Sequence, residues 1–174
     1  AERPWAGAMP PHRRHGIGVS LGYRLPDGRH DTHYYNYMKD TEGMLIELDK
    51  IIDPRGNLTV AQGHDKVPFD IRRAYWVYDV PGGESRGGHA HKQCREFIVA
   101  VSGSFSVTLD NGHERRTYLL NRPWQGLLVG TGVWRTLDDF SSGAVCVVLA
   151  SDDYDEADYI RSYDEFISYT GGKR

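Results

Sequence analysis

The sequence predicts an all-β fold, a jelly-roll sandwich or barrel with a short C-terminal helical segment. Three observations carry that prediction. Between Met44 and Ser151 no stretch has helical periodicity, and runs rich in Val, Ile, Tyr, Phe and Thr recur at short spacing instead. Clusters of Gly, Pro, Asn and Asp punctuate those runs, as tight turns between strands require. A length of 174 residues with 20 glycines suits one domain built of many short strands.

Each element follows in chain order. Residues 1–42 read as an N-terminal extension whose first part, rich in Pro, Gly and basic residues, is a flexible arm. Within it "IGVSLGYRL" and "THYYNYM" flank the turn signal "PDGR", which predicts a β-hairpin. The main domain spans 43–174. It opens with "MLIELDKI" as a strand, "DPRGN" as a turn and "LTVAQ" as a second strand. "RAYWVYDV" is β-rich and stops at "PGG"; "EFIVAVSG" and "SFSVTLDNG" follow, with Asp110-Asn111-Gly112 as a hairpin turn. "RRTYLLN", "QGLLVGTGVWRTL" and "AVCVVLAS" continue the series. The tail, "DDYDEADYIRSYDEFISY", is acidic and aromatic and predicts a short helix or two packed on the outside.

Composition narrows the function. A net charge of −3 argues against a nucleic-acid-binding protein, which normally carries a basic excess. No apolar run approaches the roughly 20 residues of a membrane span. The N-terminus lacks an apolar signal core, so the expected location is the cytoplasm. The two cysteines, Cys94 and Cys146, both fall in runs that read as strands and are expected to be buried free thiols.

The chemistry centres on "GESRGGHAHKQCREFIVAVSG", Gly83 to Gly103. Side chains alternate along a strand, so His89 and His91 share a face, with Glu96 five residues on. Two imidazoles and a carboxylate can hold a metal, or they can hold a substrate and move its protons. The spacing is that of the cupin signature G-x5-H-x-H-x4-E-x6-G, in full. A metal-binding cupin completes its ligand set from a second motif, G-x5-P-x-G-x2-H. Here the corresponding stretch is "GLLVGTGVWR", with Gly126, then Gly130 at the proline position, Gly132, and Arg135 where the histidine belongs. Arginine stays protonated and has no lone pair to give a cation. It suits an anionic ligand or a developing oxyanion instead. The expectation is therefore no metal and no cofactor.

A closer resemblance extends over Met44 to about Tyr169. "DPRGNLTV", "RGGHAHKQCREFIVAVSGSF", "LLNRPWQGLLVGTGVWRTLDDFS" and "VVLASDDYDEADYIRSYDEF" are similar to the dTDP-sugar 3,4-ketoisomerases, the WxcM-like or FdtA-type cupins. The closing "YDEADYIRSYDEF" block makes the likeness specific, because it has no metal or core logic of its own. One departure is Glu96, where that family more often carries an uncharged residue. The resemblance implies a shift of the carbonyl from C4 to C3 of a 6-deoxyhexose linked to thymidine diphosphate, in deoxysugar biosynthesis, by a homodimer with an exchanged N-terminal strand as one form of its pairing. It implies His89 as the base for the carbon-bound proton and His91 as its orienter or a holder of a sugar oxygen. Tyr75 would relay an oxygen-bound proton, provided the Tyr75/Val77 face of its strand, and not the Trp76/Tyr78 face, points inward. Arg135 would stabilise enediolate charge or bind the pyrophosphate. By charge and position, Arg86, Arg72, Arg55, Asn57 and Glu96 are substrate-binding candidates. Each has a plainer alternative: a core aromatic for Tyr75, a surface arginine for Arg135, solvated or paired charges for Arg86 and Arg72, a turn for Arg55 and Asn57. Rival functions are a nucleotide-sugar 3,5-epimerase, a metal-dependent cupin enzyme, and a non-catalytic sugar-binding cupin.

Overall fold

The structure, a computed structural model, describes residues 43–171 together with 23–24 and 30–31. The last two pairs are β1 (Tyr23–Arg24) and β2 (His30–Asp31), which pair antiparallel. The two short strands fall on either side of the "PDGR" stretch, and the rest of the expected hairpin lies outside the described residues.

Two five-stranded antiparallel sheets face each other. One has the order β10 (Arg115–Leu120), β9 (Phe105–Asp110), β12 (Trp134–Asp138), β7 (Arg86–His91), β14 (Tyr159–Ile160). The other runs β3 (Met44–Glu47), β11 (Gln125–Val129), β8 (Glu96–Ser102), β13 (Val145–Ala150), β6 (Arg73–Tyr78). A separate two-stranded ribbon joins β4 (Asp49–Ile51) to β5 (Leu58–Val60). The expected strand "MLIELDKI" is therefore two, broken at Leu48, which turns into the core. "QGLLVGTGVWRTL" is likewise two strands, β11 and β12, one in each sheet.

Burial follows the layers. Ile98, Phe105, Val107, Leu109, Leu127 and Val148 fill the space between the sheets. Phe97, Val99 and Leu128 point the other way and pack under Val67 and Phe69 of the 61–72 segment. β8 is consequently covered on both faces, which is why "EFIVA" reads as a continuous apolar run without alternation. Gly126 belongs to this packing: a Cβ there would meet the Phe97 ring at 2.1 Å. The tail forms a 3-10 turn at Glu156–Asp158, β14, and helix α1 (Tyr163–Gly171). Phe166 of α1 buries itself against Ala90 of β7 and Ile160 of β14, so the helix sits outside the sheet that carries the histidines. Both cysteines are buried free thiols, but Cys94 lies in the bend after β7, where a Gly-free "KQCR" turn gave no punctuation to see. Among the described residues no helix is long and apolar enough to cross a membrane.

Candidate active site

β7 brings His89 and His91 to the inner face of its sheet, and its outer neighbour Ala90 packs under α1. The strand carries a bulge: Arg135 faces His89 and Thr136 faces Gly87, leaving Gly88 as the extra residue. Gly87 sits at φ +82°, and a Cβ there would stand 2.8 Å from the Arg135 carbonyl oxygen. Glycine therefore lets β12 approach closely enough to set Arg135 beside His89. Across the barrel, β6 is an edge strand whose Tyr75/Val77 face packs on the inter-sheet core, whereas Trp76 and Tyr78 are exposed. The two-way choice left by alternation is settled in favour of Tyr75.

These side chains meet around Glu96, at the start of β8. The Tyr75 hydroxyl donates to Glu96 Oε1 at 2.6 Å. His91 Nε2 lies 3.4 Å from the same oxygen, and Arg135 Nε lies 3.5 Å from Oε2. His91, Glu96 and Arg135 are each about 1% exposed or less. On its other side His91 is held through Nδ1, 2.8 Å from Asp158 Oδ2. Tyr159 lies against both imidazoles, its ring centroid 5.0 Å from His89 and 4.3 Å from His91. Among the described residues, His89 Nε2 and all three guanidinium nitrogens of Arg135 are buried with no hydrogen-bond partner. Unpaired buried polar atoms in this number are otherwise rare, and here they border a cavity of about 350 Å³ lined also by Tyr75, Glu96 and Tyr159.

Electrostatics divides the labour. Burial, reinforced by the Arg135 charge, pulls the His89 pKa down to about 4, so the ring is a neutral base at neutral pH. Burial alone would raise the Glu96 carboxyl, but Arg135 and His91 beside it hold it well below the usual carboxylate range. Burial and the adjacent Glu96 charge push the Tyr75 phenol far up, so Tyr75 is a hydrogen-bond donor and not a phenolate. One ligand atom each from His89, His91 and Glu96 lie within 4.8 Å of one another, close enough for a metal. Charge opposes it: Arg135 stands against the same carboxylate.

The structure thus brings together His89, Tyr75, Glu96, Arg135 and Arg86 on the cavity wall, with His91 buried behind Glu96 and not itself lining the cavity. It does not bring Arg72, Arg55 or Asn57. Arg72 is exposed and paired with Asp153 at 3.0 Å. Arg55 makes a two-pronged pair with Asp53, at 2.9 Å through Nε and 2.9 Å through Nη2, on the exposed turn of the β4/β5 ribbon. Asn57 is exposed in that turn. In this chain both follow the turn logic of "DPRGN" and stand apart from the cavity. Asp158, Tyr159 and Arg161 were missed as site residues by sequence reasoning. Their signal was the "DYIR" of the tail, whose chemistry shows only once β14 pairs with β7.

A barrel of this order, with two histidines, a tyrosine, a carboxylate and an arginine converging between its sheets, is a cupin. Comparison with known proteins narrows it. Residues 41–171 match the family model described as FdtA: WxcM-like, C-terminal. The TDP-4-oxo-6-deoxy-alpha-D-glucose-3,4-oxoisomerase of Aneurinibacillus thermoaerophilus is 46% identical over 128 residues, 74% of this chain and 92% of that protein. Among solved structures, the sugar 3,4-ketoisomerase QdtA of Thermoanaerobacterium thermosaccharolyticum, in complex with TDP, superposes with a TM-score of 0.74 at 39% identity, covering 76% of this chain and 96% of that one. The TDP-quinovose 3,4-ketoisomerase WlaRB of Campylobacter jejuni gives 0.70 at 41% identity, covering 72% and 97%. The chain belongs to the FdtA, WxcM-like family.

Proposed function

We propose that this chain is a sugar-nucleotide 3,4-ketoisomerase that converts a TDP-linked 4-keto-6-deoxyhexose to its 3-keto isomer through an enediolate. The observation that carries this is the pairing of His89 Nε2, buried and held neutral, with the guanidinium of Arg135, whose nitrogens have no hydrogen-bond partner, in one cavity. A base and a fixed cation side by side are what proton abstraction next to a carbonyl needs.

The steps follow from the residues. His89 takes the proton from C3, and the C–H electron pair becomes the C3–C4 double bond while negative charge develops on the C4 oxygen. Arg135, buried where such contacts are strong, is the donor for that charge, joined by the half-buried Tyr75 hydroxyl once it turns from Glu96. The C3 hydroxyl proton is transferred to the C4 oxygen, with Tyr75 as the relay. His89 then returns its proton to C4 as the C3 carbonyl forms, so atoms and charge balance without an external oxidant. Arg86 suits the diphosphate, because it stands where the reaction cavity meets a second hollow of about 430 Å³ lined by Trp76, Tyr78 and Pro81. No step is routed through a metal, and the working form is a homodimer.

Proton NMR of the protein mixed with TDP-4-keto-6-deoxyglucose tests the reaction. A 3-keto sugar is expected. Configurational change at C5 with the carbonyl still at C4 would mean an epimerase, and unchanged sugar that nonetheless binds would mean a non-catalytic binder.

A further inference from the structure

We propose that Asp158 is a positioning residue for this reaction: it anchors His91 from outside the barrel and so fixes the Glu96–Tyr75 pair inside it. The inference rests on the ketoisomerase function proposed above. It accounts for the acidic "DEAD" stretch of the C-terminal block, which carries no core residue before Ile160.

Asp158 is itself firmly held. Its Oδ1 accepts from the Gln93 amide at 2.6 Å, and its Oδ2 accepts from the Cys94 amide at 3.2 Å and faces His91 Nδ1 at 2.8 Å. The Lys92 amide bonds the Asp158 carbonyl at 2.9 Å, and the Lys92 ammonium bonds the Ala157 carbonyl at 2.8 Å. The bend from β7 to β8 is thereby held by the Asp158 carboxylate at Gln93 and Cys94 and by backbone carbonyls at Lys92. A carboxylate on Nδ1 requires that nitrogen to carry a proton, which sets the ring plane and aims Nε2 at Glu96. Glu96 Oε1 is the atom that receives the Tyr75 hydroxyl. Asp158, His91, Glu96 and Tyr75 therefore form one line from the outer segment to the cavity, with Arg135 closing on Glu96 from the side. Neither Asp158 nor His91 lines the cavity, so the influence of Asp158 on substrate passes through His91 to Glu96 and Tyr75, which do. Its neighbour Tyr159 does line it, and the same backbone step that places the carboxylate lays that ring on both imidazoles.

The test is Asp158→Asn, which keeps an oxygen for the bend amides but removes the charge that holds Nδ1–H. Expected is a fall in kcat on the order of 10²-fold with KM changed by no more than about threefold, the pattern of lost positioning. In protein labelled with ¹⁵N-histidine, a strongly downfield ring N–H resonance should be present in the parent chain. It should vanish in His91→Gln, which assigns it, and shift upfield in Asp158→Asn. If the asparagine variant does not fold, Asp158→Glu replaces it, and a kcat between those of parent and background is expected with the resonance retained but moved. An unchanged kcat in either variant, a rise in KM alone, or no His91 resonance in the parent chain overturns the proposal. The resonance is read without substrate, so failure here is distinct from failure of the parent chain to isomerise the sugar.

Discussion

His89 differs from an ordinary histidine in being a base that remains unprotonated far into the acid range. Burial and the Arg135 charge both disfavour its cation and bring its pKa to about 4, against about 6.5 for a free imidazole. The sign is fixed by the role: a general base loses activity as pH falls through its pKa. kcat/KM measured against pH should hold from about pH 8 to about pH 5.5 and fall only as pH approaches 4. An acid limb near 6.5 would contradict the depressed base. Arg135 is the counterpart in charge. Its replacement by Met leaves the enediolate one donor short, and kcat should fall by about 10²- to 10³-fold with the fold retained, as steady-state kinetics and circular dichroism would read. His89, His91, Glu96 and Arg135 were legible from motif spacing, because a strand converts spacing into facing directly. Tyr75 was legible only up to a two-fold choice of face. Asp158 was not legible as a partner of His91, since 67 residues separate them and only the pairing of β14 with β7 joins them.

At the scale of elements, the site depends on how β7 is held from behind. Its inner face presents the histidines, and its outer face is closed by Ile160 and Phe166 on Ala90. Tyr163 ties the start of α1 to the other end of the sheet by donating to Asp110 at 2.8 Å, beside Arg115. Removing the Phe166 ring should open a cavity behind the histidine strand. Phe166→Ala is expected to lower stability by about 3–5 kcal/mol, read by chemical denaturation. A loss below about 1 kcal/mol would mean that α1 is an appendage and not part of the site's support. The strand content of this region was visible in advance, and two boundaries were not. "MLIELDKI" breaks at a buried Leu48, and "QGLLVGTGVWRTL" crosses between sheets at its Gly-Thr-Gly, so glycines that read as part of a strand in fact mark a corner.

Across the whole molecule, the exposed apolar surface is concentrated on β6 and the β4/β5 ribbon. Trp76 and Tyr78 are 61% and 58% exposed on β6, the edge strand of its sheet among the described residues, and Ile52 is 78% exposed beside the ribbon, with Ile51, Leu58 and Val60 near it. An open strand edge carrying large aromatics is a surface for a second copy. Sedimentation equilibrium should give twice the chain mass, and Trp76→Ser combined with Tyr78→Ser should shift it toward one. A parent chain that sediments as a monomer would remove the dimer. The jelly roll itself was legible from strand spacing, whereas the arrangement of residues 1–42 has no periodic signal beyond its hairpin. The central claim is that His89 moves the substrate's carbon-bound proton without help from a metal. The most direct measurement follows TDP-4-keto-6-deoxyglucose by proton NMR in deuterated buffer, with chelator-treated parent chain and with His89→Asn. Expected is a 3-keto product from the chelated parent, and neither product nor exchange at C3 from His89→Asn. Activity lost on chelation and restored by a divalent metal, or full exchange at C3 in His89→Asn, would contradict it.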